Sequence, residues 1–181
     1  MKTILISGKS GSGKDQFAKY LYDILDKNDF RVLVIHFADY VKYCAAQYYK
    51  WNGEKDVDGR TLLQHLGTDT VRKKYPEYWA EGVAKLISAL ENDWDYVLIP
   101  DCRFINEFKI VKKFNKDSVL VRINRLNEDG TYFLNSALTP QQHSHISECE
   151  LDDYDYDYIV DNSFDLEELK KRVKEFTMEI V

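Results

Sequence analysis

Residues 3–25 leave this chain the fewest choices. The apolar run Thr3-Ile4-Leu5-Ile6-Ser7 reads as a buried strand. It runs directly into Gly8-Lys9-Ser10-Gly11-Ser12-Gly13-Lys14-Asp15, and Gln16 to Leu25 then repeats its apolar residues at helical spacing. Strand, glycine-rich turn, lysine and helix, in that order, form the context of a phosphate-binding loop. Glycines let successive backbone N–H groups converge on one point, and the helix N-terminus adds partial positive charge. Lys14 brings a full charge for the outer phosphates. The stretch fits G-x-x-x-x-G-K-[ST] except at Asp15, which stands where a hydroxyl usually serves Mg²⁺. A carboxylate also serves a hard cation, directly or through water. The alternative is a β–α turn that binds nothing; the agreement of strand, glycines, lysine and helix outweighs it. Gly8 to Gln16 are therefore the candidate nucleotide-binding residues.

With 181 residues the chain is most simply one domain, 1–181, with material for a good core. Its 44% hydrophobic and 31% charged residues suit a soluble globular protein. A net charge of −6 argues against a groove for a nucleic-acid polymer and leaves room for a local basic site for a small anion. The first apolar run is too short for a secretory signal or a membrane span. Cys44, Cys102 and Cys149 are odd in number and lack metal-type spacing, which points to reduced thiols and a cytoplasmic protein. Nothing in the composition decides between a monomer and a homodimer.

Strands and helices alternate along the rest of the chain. Arg31 to Phe37 reads as a second buried strand. Asp39 to Lys50 is a helix with Val41, Cys44, Ala45 and Tyr48 on one face. After a polar loop, Leu62, Leu63 and Leu66 mark a helical face that ends by Pro76, and Arg60 and Gln64 project from one side of it. Tyr78 to Glu91 forms another helix, with Trp79, Val83, Leu86 and Ile87 inward. Asp95 to Asp101 is the third strong strand, Arg103 to Asn115 a helix, and Asp117 to Asn124 a fourth strand. Residues 124–150 have no clear period and are long for a loop, which hints at a lid. Tyr158 to Asn162 is a short fifth strand, and Asp165 to Glu179 the last helix. The alternation predicts a three-layer α/β domain with a five-stranded, mainly parallel sheet. In such folds ligands bind beyond the carboxyl ends of strands, which is where Asp101 falls. Asp101 there orders Mg²⁺ or an acceptor; the alternative is a helix N-cap. His143 and His145 have no third ligand at a sensible spacing.

Several strings carry a family resemblance. The GKD ending of the loop resembles bacteriophage deoxynucleoside monophosphate kinases and animal-type phosphomevalonate kinases. Leu63-Gln64-His65-Leu66-Gly67-Thr68-Asp69, with Arg60 just before it, is similar to an LQxLGTD stretch of the phage kinases. Asp101-Cys102-Arg103 resembles the D-x-R element of both families. Ser144 to Glu148 is similar to T-H-x-[ST]-E of the phage kinases, and Ser147 to Asp152 to SECxLD of the phosphomevalonate kinases. The resemblance implies a P-loop kinase fold, an acceptor-binding helical region at about 38–92 and a lid at about 124–150. It implies ATP and Mg²⁺, with transfer to a deoxynucleoside monophosphate. Lys14, Asp15, Arg103 and Arg125 are then the catalytic residues. Arg60, Gln64, Thr68, Asp69, Asp101, Arg103, His145 and Glu148 bind the acceptor, Asp15 and Asp101 hold the metal, and Asn162 lies near the donor base. The chain departs from the phage kinases in having little between residues 50 and 60, and Ser10-Gly11 where relatives often carry basic residues. The alternatives are a phosphomevalonate-kinase-like enzyme for another phosphomonoester and a non-catalytic nucleotide-binding protein.

Overall fold

In the computed structural model, which describes residues 1–163 and 165–181, the sheet has five strands, all parallel. The strands are β1 (Lys2–Ser7), β2 (Val32–Val34), β3 (Tyr96–Ile99), β4 (Ser118–Asn124) and β5 (Tyr158–Asp161), in spatial order β2-β3-β1-β4-β5. The first apolar run therefore becomes the central strand. Parallel strands buried on both faces must be apolar throughout, and β1 is buried from Thr3 to Ser7.

Alternation divides the sheet's side chains between two cores. Ile4 and Ile6 of β1, Leu98 of β3 and Val121 and Ile123 of β4 face one layer. That layer consists of α1 (Lys14–Lys27) and α8 (Leu166–Ile180), which contribute Phe17, Leu21, Val173 and Phe176. Leu5, Val97, Ile99 and Leu120 face the opposite side. There they meet α4 (Tyr78–Ala89) through Ala80, Ala84 and Ile87, and α5 (Ile105–Phe114) through Phe108 and Val111. A third, smaller core of Val41, Ala45, Leu66 and Trp79 joins α2 (Asp39–Tyr49) to α4 and to the segment between them.

That segment starts as α3 (Val57–Gln64) and continues without a break as a π-helix, His65–Arg72. Such widened turns are rare and are often found at functional sites. Gly67 lies in it against Val41, and Gly67 O accepts the indole N–H of Trp79 at 2.9 Å. Two four-residue helices, α6 (Pro140–His143) and α7 (Ile146–Cys149), interrupt the irregular stretch after β4.

Three expectations from the sequence need correction. The second strand is three residues long, not seven, because the chain leaves the sheet to deliver the Phe37 and Ala38 amides to Asp101. Tyr48 is 70% exposed, since the end of α2 outruns the elements it packs on. Leu86 is also exposed; Ala80, Ala84 and Ile87, spaced i, i+4, i+7, form the inner face of α4 instead. No helix among the described residues is long and apolar enough to cross a membrane.

Candidate active site

The glycine-rich loop leaves β1 at Ser7 and enters α1 at Lys14. Gly13 has φ +97°, a left-handed conformation that costs a residue with a Cβ about 1–2 kcal/mol. Space forbids a side chain there as well: a Cβ on Gly13 would lie 2.2 Å from Asn162 Nδ2. That amide donates to Ser12 O at 2.8 Å, so Asn162, just beyond β5, braces the loop's backbone.

Lys14 is buried, and its Nζ donates to Gly8 O at 2.6 Å and Lys9 O at 2.7 Å. Burial pushes its pKa down from 10.5 to about 7. The Arg103 charge pushes the same way, against Glu148 and Asp15. The lysine is thus held in a site short of negative charge, where an arriving anion would restore its full protonation.

Beside the loop lies a cleft of about 540 Å³. Its lining draws on every layer of the fold. Ser10, Gly11, Lys14 and Asp15 come from the loop and the start of α1, Arg60 and Gln64 from α3, and Thr68 from the π-helix. Asp101 and Arg103 come from the turn between β3 and α5, and Glu148 from α7. Arg60 and Gln64 reach the cleft together because they are one helical turn apart.

The remaining residues singled out from the sequence stand around this group. Asp101 does not cap the helix that follows it; its oxygens accept the Phe37 and Ala38 amides at 2.9 and 3.0 Å, just ahead of α2. Arg125 lies over the Phe133 ring, 3.9 Å from its centroid, and donates to Gly11 O at 3.2 Å. Asp69 lines a second, shallower cleft rather than the first and faces His145 Nε2 at 3.6 Å. Lys9 turns away from the loop's mouth to Asp152, 2.5 Å away, so only its backbone belongs to the phosphate cradle.

Glu148 sits at the centre. One carboxylate oxygen accepts the Ser10 N–H at 2.9 Å and the other pairs with Arg103, whose guanidinium also donates to Ser147 O at 3.1 Å. A carboxylate therefore accepts from a backbone amide of the glycine-rich loop.

Reading by strings missed a buried pair beneath the cleft. Arg72 ends the π-helix, stacks 3.8 Å from the Phe104 ring centroid and pairs with Glu107 at 2.5 Å. Glu107 in turn accepts the backbone amides of Arg103 at 2.7 Å and Phe104 at 3.1 Å, fixing the turn that presents Arg103. Burial pushes the Glu107 carboxyl up from 4.5 to about 7, against the pull of Arg72 and the two amides. Arg72 and Glu107 are 35 residues apart, so no local spacing signals the pair.

The chain matches the family described as deoxynucleotide monophosphate kinase over residues 35–173, a span that begins after the glycine-rich loop. Its sequence has no match among curated proteins. Among solved structures it is similar to a sugar kinase from a Janibacter species, with TM-score 0.60 at 12% identity, covering 100% of this chain and 96% of that one. It is also similar to the APS kinase CysC of Mycobacterium tuberculosis in complex with AMPPNP and APS. There the TM-score is 0.54 at 11% identity, covering 99% of this chain and 96% of that one. At these identities the structural likeness speaks for the P-loop kinase fold. With the family matched over most of its length and the loop, strand order and cleft in agreement, the chain belongs to the deoxynucleotide monophosphate kinase family.

Proposed function

We propose that this kinase transfers the γ-phosphoryl group of ATP to a deoxynucleoside monophosphate, giving ADP and the deoxynucleoside diphosphate. The observation that carries the reading is the single cleft in which the phosphate loop meets Arg60, Gln64 and Arg103. Phosphoryl transfer asks for positioning and charge neutralisation rather than a covalent intermediate, and this cleft offers both. Lys14 and the loop amides hold the donor's β- and γ-phosphates. Arg60 and Arg103 hold the acceptor's phosphate, for which a planar guanidinium suits better than an ammonium. Gln64 and Thr68 stand where an acceptor's base or sugar would lie, and Arg125 neutralises charge on the moving group. Residues 38–92 act as the acceptor-binding region and 124–150 as the lid. ATP as donor is in keeping with the family and with the AMPPNP bound by the mycobacterial neighbour.

The cleft also suits Mg²⁺, since Asp15 and Asp101 both line it with hard oxygen donors. The Asp101 oxygens each accept one amide and keep a further lone pair for a cation or its water. Bound there, the ion would neutralise phosphate oxygens. The test is ADP release measured with ATP, Mg²⁺ and, in turn, dAMP, dCMP, dGMP, dTMP and phosphomevalonate. Turnover confined to deoxynucleotides is the expected result. Turnover with phosphomevalonate alone would make this an enzyme of the other phosphomonoester class, and nucleotide binding without turnover would leave a non-catalytic protein.

A further inference from the structure

We infer that Glu148 is a positioning residue that couples the two substrate sites: it stands in for phosphate on both sides of the cleft, and displacing it from one side releases it from the other. The inference rests on the kinase reading above.

The geometry is that of one anion shared between two anion sites. The Glu148 side chain is only 8% exposed. Its oxygens split between the Ser10 N–H of the donor loop and the guanidinium of Arg103 on the acceptor side. Both partners are groups that a phosphate would claim. Arg103 and Ser10 lie on different elements, and among the described residues Glu148 bridges them directly.

α7 is one turn long, and its consecutive residues carry the Ser147 O contact to Arg103, both Glu148 carboxylate contacts and the Glu148 O contact to Lys9 at 3.3 Å. A donor phosphate on the Ser10 amide brings negative charge against the Glu148 carboxylate. When the carboxylate swings away from that charge, Arg103 loses its charged acceptor and keeps only the neutral Ser147 O. An acceptor phosphate then meets an Arg103 already released. Linkage requires the reverse as well: an acceptor on Arg103 eases donor binding by the same factor. Between turnovers the bridge keeps loop and arginine at working separation and satisfies both.

The experiment is calorimetric titration of AMPPNP into the full chain, alone and with saturating dAMP, dCMP, dGMP or dTMP. In the wild type, at least one monophosphate should tighten AMPPNP binding about tenfold, within the roughly 5–150-fold span of allosteric couplings. Glu148→Gln removes the charge; it should bind AMPPNP alone about tenfold more tightly than the wild type, with the monophosphate adding no further gain. Glu148→Asp keeps the charge but shortens the reach, and should lose the coupling too. Absence of coupling in the wild type overturns the inference without recourse to any variant. So does a Glu148→Gln protein that binds AMPPNP more weakly than the wild type, or one that keeps the full coupling. No AMPPNP binding by the wild type defeats instead the kinase reading on which the inference stands.

Discussion

Asp15 is the residue at which this loop departs from its motif, and the structure leaves it exposed at the cleft. If it serves only the metal, Asp15→Ser restores the usual hydroxyl and keeps turnover, with a shifted Mg²⁺ dependence in ADP-release assays. Collapse at high Mg²⁺ would assign the carboxylate a second task. Arg60 offers a cleaner probe of the acceptor side than Arg103, because its side chain donates from Nε to Lys55 O at 2.8 Å, away from the Glu148 bridge. A charge-assisted contact is worth about 1.5–3 kcal/mol and ~1.4 kcal/mol is tenfold. Arg60→Ala should therefore lower kcat/KM for the acceptor roughly ten- to a hundredfold and leave AMPPNP binding unchanged. Equal losses on both substrates would move Arg60 to the donor side or to a role in folding. Glu107 carries the pH prediction. Its folded pKa, about 7, lies above the ordinary 4.5, so between these values the native state holds a proton that the unfolded chain has lost. The group's contribution is fully present below pH 4.5 and is lost as pH rises toward 7, on the order of ~3 kcal/mol in all. Urea unfolding of wild type and Glu107→Gln across that window should show the wild type's advantage shrinking as pH rises. An advantage that grows would mean that Arg72 and the two amides outweigh desolvation.

Among the elements, the turn from β1 into α1 is the least tolerant. Gly13→Ala combines a left-handed φ with a contact of 2.2 Å to Asn162 Nδ2. The variant should lose AMPPNP binding and unfold at lower denaturant. Adding Asn162→Ala should restore part of the stability, because it removes the clash and leaves the backbone cost of about 1–2 kcal/mol. No recovery in the double variant would show that backbone strain alone governs the site. The run from α3 into the π-helix has the opposite character. Widening there places Thr68 at the cleft, and Arg72 against Glu107 at its base. An unbroken α-helix would turn these side chains through different angles, since the wider turn changes the rotation per residue.

At the level of the whole molecule, the layers differ in what they do. The α1–α8 face, with Phe17 and Phe176 rings 5.4 Å apart, lies behind the sheet, in a core separate from that of α2 and α3. Phe176→Ala should cost about 3–5 kcal/mol in chemical denaturation while leaving KM for the acceptor near the wild-type value in the folded fraction. A large KM effect without loss of stability would place the site's support in that layer. The opposite face works differently: Trp79 of α4 packs with Val41 and Leu63 in the third core, and all three line the cleft, so packing there is bound up with the cleft's shape.

How much of this was legible beforehand depended on the range of the interaction. The glycine-rich loop, the alternation of strands and helices and the pairing of Arg60 with Gln64 all follow from neighbours within a turn or two. Periodicity, glycine's backbone freedom and turn chemistry operate at that distance. The parallel, five-stranded sheet followed from the same local pattern. The length of β2, the exposure of Tyr48 and Leu86 and the π-helix did not, because each depends on what packs against the segment. The site's internal partners were further out of reach. Asp101 serves amides 64 and 63 residues upstream, and Glu148 meets an amide 138 residues away. Only the order of strands in the sheet brings such groups together, and side-chain direction at the end of each element then decides which carboxylate meets which cation. The chain's own residues thus determined that a glycine-rich turn would join the first strand to its helix and where; the tertiary structure alone decided which of its acids would lie beside that turn.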